Sequence, residues 1–581
     1  MPFGFTHKPL VGLASSAISS FFRKIEVFGE ENVPTEGPII FACSHANMAI
    51  DPAVLSSTMP HGLSVHYWVK DSLFSNPAVG ALLRNAGNIV LALGESIGVF
   101  PEGTSHTEPR MIALKDGVSW TALEYLRYLQ GTEENGGPKS GTKAVIVPVG
   151  IAYVNKNKYR SRVAVHYGEP ITMDDYQEEF MSEADGADKS AVKRLTRRVD
   201  FEIRKFTVNS PDWDTAFAAS MARELLWEEE EDLALADYVD VTQTLVDLFS
   251  TSSIESIESL KNLLVTYHKL LISSRLSNTA LTRLPLPQTL DPTHKTSLPN
   301  RFSTLFYLLR DSLTSMLRLP FFLIPMLIHL PIYVVGILGG HLAVDEIETQ
   351  AQTKVTFGII LSFLTYPVLF FTLWAIFKQF TLGFAIAAGA VWMFARYHAV
   401  LIDQNYDAMK RLVAAWRILI GVWIPKSSEM PLPSFIADSS LFAPNPPAVV
   451  GLPPSIQPEK WVKPKHVPSR VLVRHVLRLR IEAARELASV LLDLEASDES
   501  LHASYWLAEE AGGEVLKASK EDEEKLEWER PIPTGVRGGR EVVGYLREKG
   551  ARLGYGNGQG GGGAREGHWA AAASSGDESE R

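Results

Sequence analysis

Between residues 43 and 52 the chain reads Cys-Ser-His-Ala-Asn-Met-Ala-Ile-Asp-Pro, placing a histidine and an aspartate in an otherwise small, apolar setting. A neutral imidazole held by a carboxylate can deprotonate a hydroxyl near pH 7. Spacing alone does not make His45 and Asp51 such a pair. On a continuous helix, six residues at about 100° each would put them roughly 240° apart. They meet only if the chain turns, and the Asp51-Pro52 step is the expected turn, because a residue before proline avoids the helical region. His45 then ends a strand and Asp51 opens a helix, where it also has a rival role as N-cap. Cys43, the one cysteine, stands close enough to be considered as a nucleophile. Its apolar surroundings favour a buried strand residue instead. A lone cysteine forbids an intramolecular disulfide and fits a reducing compartment.

A second candidate is Gly-Val-Phe-Pro-Glu-Gly-Thr-Ser-His, residues 98–106. Glu102 and Gly103 follow an apolar strand, and ligands of α/β sheets bind beyond the carboxyl ends of strands. Read singly, Gly103 supplies backbone freedom and Glu102 is a turn residue. Amides near Gly103 and Thr104 could stabilise an oxyanion. No metal-ligand spacing is present.

The elements that must position these residues form an α/β unit over residues 25–182. Ile39–Cys43 is a continuous apolar run, as a strand buried on both faces requires. Further strands are expected at Ser64–Lys70, Glu95–Val99 and Ala144–Val154, with an edge-like one at 162–171. Helices are expected from Asp51, over 75–87, and over 114–129. Strands alternating with helices indicate layers of helix on a mixed or parallel sheet.

A chain of 581 residues needs roughly two to four modules. Residues 1–24 read as a membrane-surface helix, with Phe21 and Phe22 facing lipid and Arg23 and Lys24 at the headgroups, or equally as a helix packed on the domain. Residues 183–316 are helical with a proline-rich linker, and Glu228–Asp232 reads as a solvated helix face. Residues 317–425 form a membrane region, since a span needs about 20 apolar residues. Leu319–Leu342, with Pro320, Pro325 and Pro331, is open to kinking or re-entry. Val355–Phe377 is a second span, Phe380–Met393 extends toward a third, and 411–425 suits the interface. Residues 426–530 hold a proline-rich linker and an amphipathic helix over 470–494, suited to anionic lipid or to ordinary packing. Residues 531–581 read as a disordered tail. Arg301, Arg310 and Arg318 before the first span, against Asp345, Glu346 and Glu348 after it, place the N-terminal domain in the cytosol. The net charge of -11 argues against general nucleic-acid binding.

Taken together and in this order, the segments "SHANMAIDP", "KDSLFSNPAVGALLRNAGNI", "GVFPEGTSHTEPRMIALKDGVSW" and "IVPVGIAYV" resemble the glycerolipid acyltransferases. They look most like the fungal glycerol-3-phosphate / dihydroxyacetone-phosphate acyltransferases of the endoplasmic reticulum. The resemblance implies an α/β acyltransferase domain followed by helical and transmembrane regions, in a multi-pass protein of the endoplasmic reticulum with its catalytic domain in the cytosol. It implies acyl transfer from acyl-CoA, a co-substrate and not a bound cofactor, to the sn-1 hydroxyl of glycerol 3-phosphate. His45 and Asp51 would be catalytic. Phe100, Pro101, Glu102, Gly103 and Thr104 would bind substrate. The expected partners are these substrates and the bilayer; the oligomeric state is left open.

Two features depart from the family pattern. Five residues separate His45 from Asp51, where four are commoner. In "AGNIVLALGESIGVFPEG" the family's phosphate-binding basic residue and a following helix are absent. "Gly-Glu-Ser" is also too short to cross between parallel strands, which takes about a dozen residues. Lys70, Arg84, Arg110 and Lys115 are the nearby cations that would have to serve, with Lys70 and Arg84 placed first. An impaired family member and a lysophospholipid acyltransferase are the alternative readings.

Overall fold

The computed structural model describes residues 7–68, 95–134, 142–282, 301–342, 347–377, 380–425, 431–432, 469–517, 526 and 531–553. Lys70, Arg84, the 75–87 helix, both proline-rich linkers and the glycine-rich end lie outside these residues.

The N-terminal unit is built on six strands: β1 (Lys24–Phe28), β2 (Ile39–Cys43), β3 (Val65–Tyr67), β4 (Ser96–Val99), β5 (Val145–Tyr153) and β6 (Arg162–Tyr167). Their order is β1-β6-β5-β2-β4-β3. β2 has no polar residue and lies in the middle, entirely buried. It runs parallel to both β4 and β5, with Ile39 level with Ser96 on one side and Val145 on the other. Alternation along the strands divides the core. Ile40, Ala42, Ile97 and Ile146 face the helices Gly117–Glu134 and Ala187–Lys205, while Ile39, Phe41, Cys43 and Val147 face α1 (His7–Phe21) and α2 (Ile50–Ser57). The sheet is mixed, because β6 runs antiparallel to β5. The parallel β2, β4 and β5 deliver their following loops to one edge of the sheet, and those loops carry the candidate residues.

Several expectations change. β6 is not an edge strand: β1, unread in the sequence, pairs with it in parallel and takes the edge. The short crossover also has an answer. The parallel neighbour of β4 is β3, so the connection is residues 68–95, long enough for the rule, and "Gly-Glu-Ser" need not bridge two strands. In α1, Ile18 and Phe21 are buried with Phe22 in the sheet core, and Arg23 pairs with Glu231 at 2.9 Å. That end therefore packs on the domain. Glu228–Asp232 is a turn and not a helix face, with Glu230 bonded to Lys158 at 2.9 Å and Glu228 to Arg552.

A helical layer follows, from Trp213–Leu226 to Glu255–Ser274. Three long helices come next: Arg301–Leu342, Ile347–Phe377 and Phe380–Trp423. Each is long and apolar enough to cross a membrane. Leu327, Phe363, Phe371 and Trp392 are among many large apolar side chains that they expose, as a lipid-facing surface would. The first runs as one helix through its three prolines. Residues 411–423 continue the third helix instead of forming an interfacial segment, because Ala414, Ile418 and Val422 are buried in the helical core. That core also takes the helix Val473–Ser497, burying Val476, Leu487 and Leu491, so this segment packs in the ordinary way. Finally, β7 (Ser500–Ser504), β8 (Glu514–Val515) and β9 (Thr534–Gly538) form a small sheet in the order β7-β9-β8, and Gly539–Glu548 is a helix. The chain is thus ordered past residue 531: Val542, Val543 and Leu546 supply an apolar helix face that composition alone hid.

Candidate active site

His45 lies just beyond β2. Its Nδ1 is 2.9 Å from Asp51 Oδ2. The turn that permits this is at Met48, a non-glycine residue with φ +42°. It is not at the Asp-Pro step. Asp51 and Pro52 are both inside α2, whose N-cap is Ala49, so Asp51 is not the cap. Pro52 costs nothing there because the first turn's N–H groups have no helical partner. The left-handed Met48 takes up the five-residue spacing.

Asp51 is wholly buried, while the His45 side chain keeps 16% exposure. The carboxylate is saturated by donors. Oδ2 accepts from His45 and from the Asn47 amide at 2.7 Å, and Oδ1 accepts from the Tyr153 hydroxyl at 2.6 Å. A carboxylate can only accept, so His45 carries its proton on Nδ1. Nε2 is left with a lone pair, as a general base needs. Burial and the neighbouring carboxylate hold the Tyr153 hydroxyl well above its usual range, so it stays a donor.

The Phe-Pro-Glu-Gly turn supports His45 from behind. The Phe100 ring stacks on the imidazole with centroids 4.3 Å apart, and Tyr67 stacks on Phe100 at 6.3 Å. Gly98 makes room for Tyr67: a Cβ there would stand 2.7 Å from its ring. Pro101 is buried, and its carbonyl accepts from the Lys115 amide at 2.8 Å. Glu102, 2% exposed, accepts from the His45 amide at 2.6 Å and from the Ile112 amide at 3.4 Å. Its carboxylate therefore braces the loop that carries His45. Burial, aided by the Asp51 charge, pushes its pKa up to about 8 against those amides and Arg204. His106 Nε2 donates to the Arg110 carbonyl at 3.2 Å, and Nδ1 then stands 3.2 Å from Glu102 Oε2. Burial lowers the His106 pKa and keeps that ring neutral.

Gly103 has φ +74°, and the ammonium of the exposed Lys115 lies over it. The Gly103 amide donates to the Phe100 carbonyl at 2.9 Å to close the turn, so it is not a free oxyanion donor as the sequence reading expected. The Thr104 hydroxyl is exposed and donates to the Ser105 carbonyl at 3.2 Å. Arg110 is exposed too. Cys43 is fully buried, and burial raises its thiol pKa well above the ordinary value, which removes it as a nucleophile.

The sequence reading missed Asn47, Tyr153, His106 and Lys156. Tyr153 ends β5, and Lys156 lies in the next loop. In a parallel arrangement that loop must adjoin the one after β2, and this was the signal available. The start of the helix Ile347–Phe377 was also missed. Thr107 donates to Glu348, the Ala49 amide donates to Gln352 at 3.2 Å, and Asn157 donates to Gln350 at 3.0 Å. A candidate membrane span thus opens directly against all three site loops.

The sequence model of the acyltransferase family matches residues 24–93, which include the His45–Asp51 segment. The chain is 26% identical over 332 residues to glycerol-3-phosphate O-acyltransferase 2 of Saccharomyces cerevisiae, covering 54% of this chain and 41% of the yeast protein. It is 31% identical over 137 residues to glycerol-3-phosphate O-acyltransferase 1 of the same yeast, covering 23% of this chain and 16% of that protein. The 1-acyl-sn-glycerol-3-phosphate acyltransferase of Bacillus subtilis is 29% identical over 123 residues, 18% of this chain and 59% of the bacterial one. The chain spans less than half the length of the yeast relatives it matches. A crystal structure of a 1-acyl-sn-glycerophosphate acyltransferase from Thermotoga maritima aligns over 33% of this chain and 77% of that one, at 18% identity and a TM-score of 0.22. The resemblance to glycerolipid acyltransferases drawn from the motifs holds in the family match and the yeast relatives.

Proposed function

We propose that this chain is a membrane-bound O-acyltransferase that moves an acyl group from acyl-CoA to the sn-1 hydroxyl of glycerol 3-phosphate. The observation that carries the reading is His45, with Nδ1 committed to a buried, triply bonded Asp51 and Nε2 left as a base at the open end of the sheet. The acceptor oxygen attacks the thioester carbonyl as its proton passes to His45 Nε2. The C–S bond then breaks, and the imidazolium returns the proton to the departing CoA thiolate. Asp51 holds the tautomer and balances the transient imidazolium. No covalent enzyme intermediate is needed, which accords with the inert Cys43. Phe100 and Glu102 act on the substrate indirectly, by fixing the ring and the backbone of His45. Gly103 and Thr104 face the acceptor.

The span that opens at the site suits a substrate whose acyl chain belongs in the bilayer. We place the protein in the endoplasmic reticulum membrane with the site on the cytosolic side. The similarity to the 1-acyl-sn-glycerol-3-phosphate acyltransferase of Bacillus subtilis supports a second acceptor, a lysophosphatidate. Purified protein in lipid nanodiscs, given acyl-CoA, should form lysophosphatidate from glycerol 3-phosphate, and His45→Ala should abolish it. Acylation of lysophosphatidate alone would favour the second acceptor. Equal product from His45→Ala would sink both readings.

A further inference from the structure

The shortened stretch before Phe-Pro-Glu-Gly lacks the usual cation for the acceptor phosphate, and the substitutes placed first, Lys70 and Arg84, lie outside the described residues. The site contains one that the sequence did not suggest. Lys156 follows β5, and its ammonium donates to the carbonyl of Ala46, next to His45, at 3.2 Å and to the carbonyl of His106 at 3.3 Å. Its own carbonyl accepts from Asn47 Nδ2 at 2.9 Å. The charge therefore stands between the loop of the base and the loop of the Phe-Pro-Glu-Gly turn. An ammonium has three donors, and these two carbonyls occupy two of them.

Carbonyls solvate a cation but do not neutralise it. Among the described residues, the carboxylates acting on Lys156 do so from longer range: Glu348 most, then Asp51 and Glu102. Asp51 is already saturated by donors, and Glu102 is largely protonated at neutral pH. A half-buried cation held beside a general base, with no closely bonded counter-ion, is a site for an anion on the acceptor. Lys115, whose ammonium lies against Gly103, is the rival, but it is exposed and its charge is screened by solvent.

We propose that Lys156 binds the phosphate of the acceptor, with Glu348 of the first turn of the membrane helix as the charge that the phosphate displaces. The proposal rests on the reading of the chain as an acyltransferase for phosphorylated acceptors. Losing a charged hydrogen bond weakens binding by roughly 10–100-fold. The full chain in nanodiscs is assayed with glycerol 3-phosphate and with glycerol, which offers the same hydroxyl without phosphate. Lys156→Met should lower the ratio of the two kcat/KM values by roughly 10–100-fold. It should act through the acceptor KM, Lys156→Arg should restore most of the loss, and Glu348→Gln should lower the acceptor KM. Equal losses on both acceptors would show a structural pin and overturn the assignment, as would Lys115→Met alone reproducing the effect. Equilibrium binding of radiolabelled glycerol 3-phosphate judges Lys156 separately from turnover. If the wild type is inactive, the acyltransferase reading fails. Binding lost in Lys156→Met would still support the site, and binding that is equal or absent in both proteins would refute it.

Discussion

Asp51→Asn isolates the charge of the dyad from its geometry. The carboxylate accepts two hydrogen bonds on Oδ2 and one on Oδ1. An asparagine with its oxygen at the Oδ2 position keeps the bonds from His45 and Asn47. Its amide then faces the Tyr153 hydroxyl, which can rotate and accept. The side chain is isosteric and the pocket closed, so the fold should tolerate the change. What is lost is the counter-charge to the imidazolium as the acceptor is deprotonated. Two unit charges about 4 Å apart at an effective dielectric near 20 interact by about 4 kcal/mol, which is roughly a thousandfold in rate. The alternative rotamer does no better: an amide donating to Nδ1 forces the imidazole proton onto Nε2 and removes the base. Either way kcat should fall by roughly 10³, with the KM for acyl-CoA little changed. The assay is CoA thiol release by protein in nanodiscs, with thermal unfolding as the control for folding. A variant within fivefold of wild type, equally stable, would refute the charge-balancing role of Asp51.

Glu102→Gln tests the raised carboxyl. In the folded protein this group has a pKa of about 8, against an ordinary 4.5, so the native state binds its proton more tightly than the unfolded chain. Its contribution is complete below pH 4.5 and is lost as pH rises through 8, at a cost of about 5 kcal/mol. The stability of wild type relative to Glu102→Gln should therefore fall from pH 5.5 to pH 9, as read from unfolding temperatures in detergent micelles; a gap that stays constant with pH would count against it. Gly103→Ala should destabilise by about 1–2 kcal/mol because of the positive φ. An unchanged melting temperature would argue against it.

Much of the α/β unit was legible because β2, β4 and β5 are buried on both faces, and burial leaves an unbroken apolar run in the sequence. β1 escaped notice because Lys-Ile-Glu-Val-Phe is an edge strand with only partly buried residues. Among the long apolar helices, the ends at Leu342 and Phe377 fall where the sequence put them, while the starts lie earlier, at Arg301 and Ile347. The reading failed at residue 411, where one helix passes from an exposed apolar surface into a protein core without a change of period. Of the site, His45, Asp51 and the Phe-Pro-Glu-Gly turn were legible as types, but their contacts were not. No pattern marks Met48 as left-handed, because that conformation is imposed by the ends it joins. Asn47 and Tyr153 are ordinary residues until the parallel register of β2 and β5 brings them to one carboxylate.

The shortened stretch before Phe-Pro-Glu-Gly bears on the site in two ways, and the structure separates them. As a problem of connection it disappears, since β3 pairs directly with β4 and residues 68–95 make the crossover. The dyad depends on β2, β5 and the turn after β4, and none of these is shortened. As a problem of charge it persists, because a phosphorylated acceptor still requires a cation. β5 is held beside β2 by backbone pairing from Ile39–Val145 through Cys43–Val149, and that pairing fixes the next loop against the base. Lys156 therefore owes its place to the central strands, on the side of β2 away from the altered segment. Loss of the usual anchor on one side leaves the other intact, so weakened activity does not follow from the shortening alone.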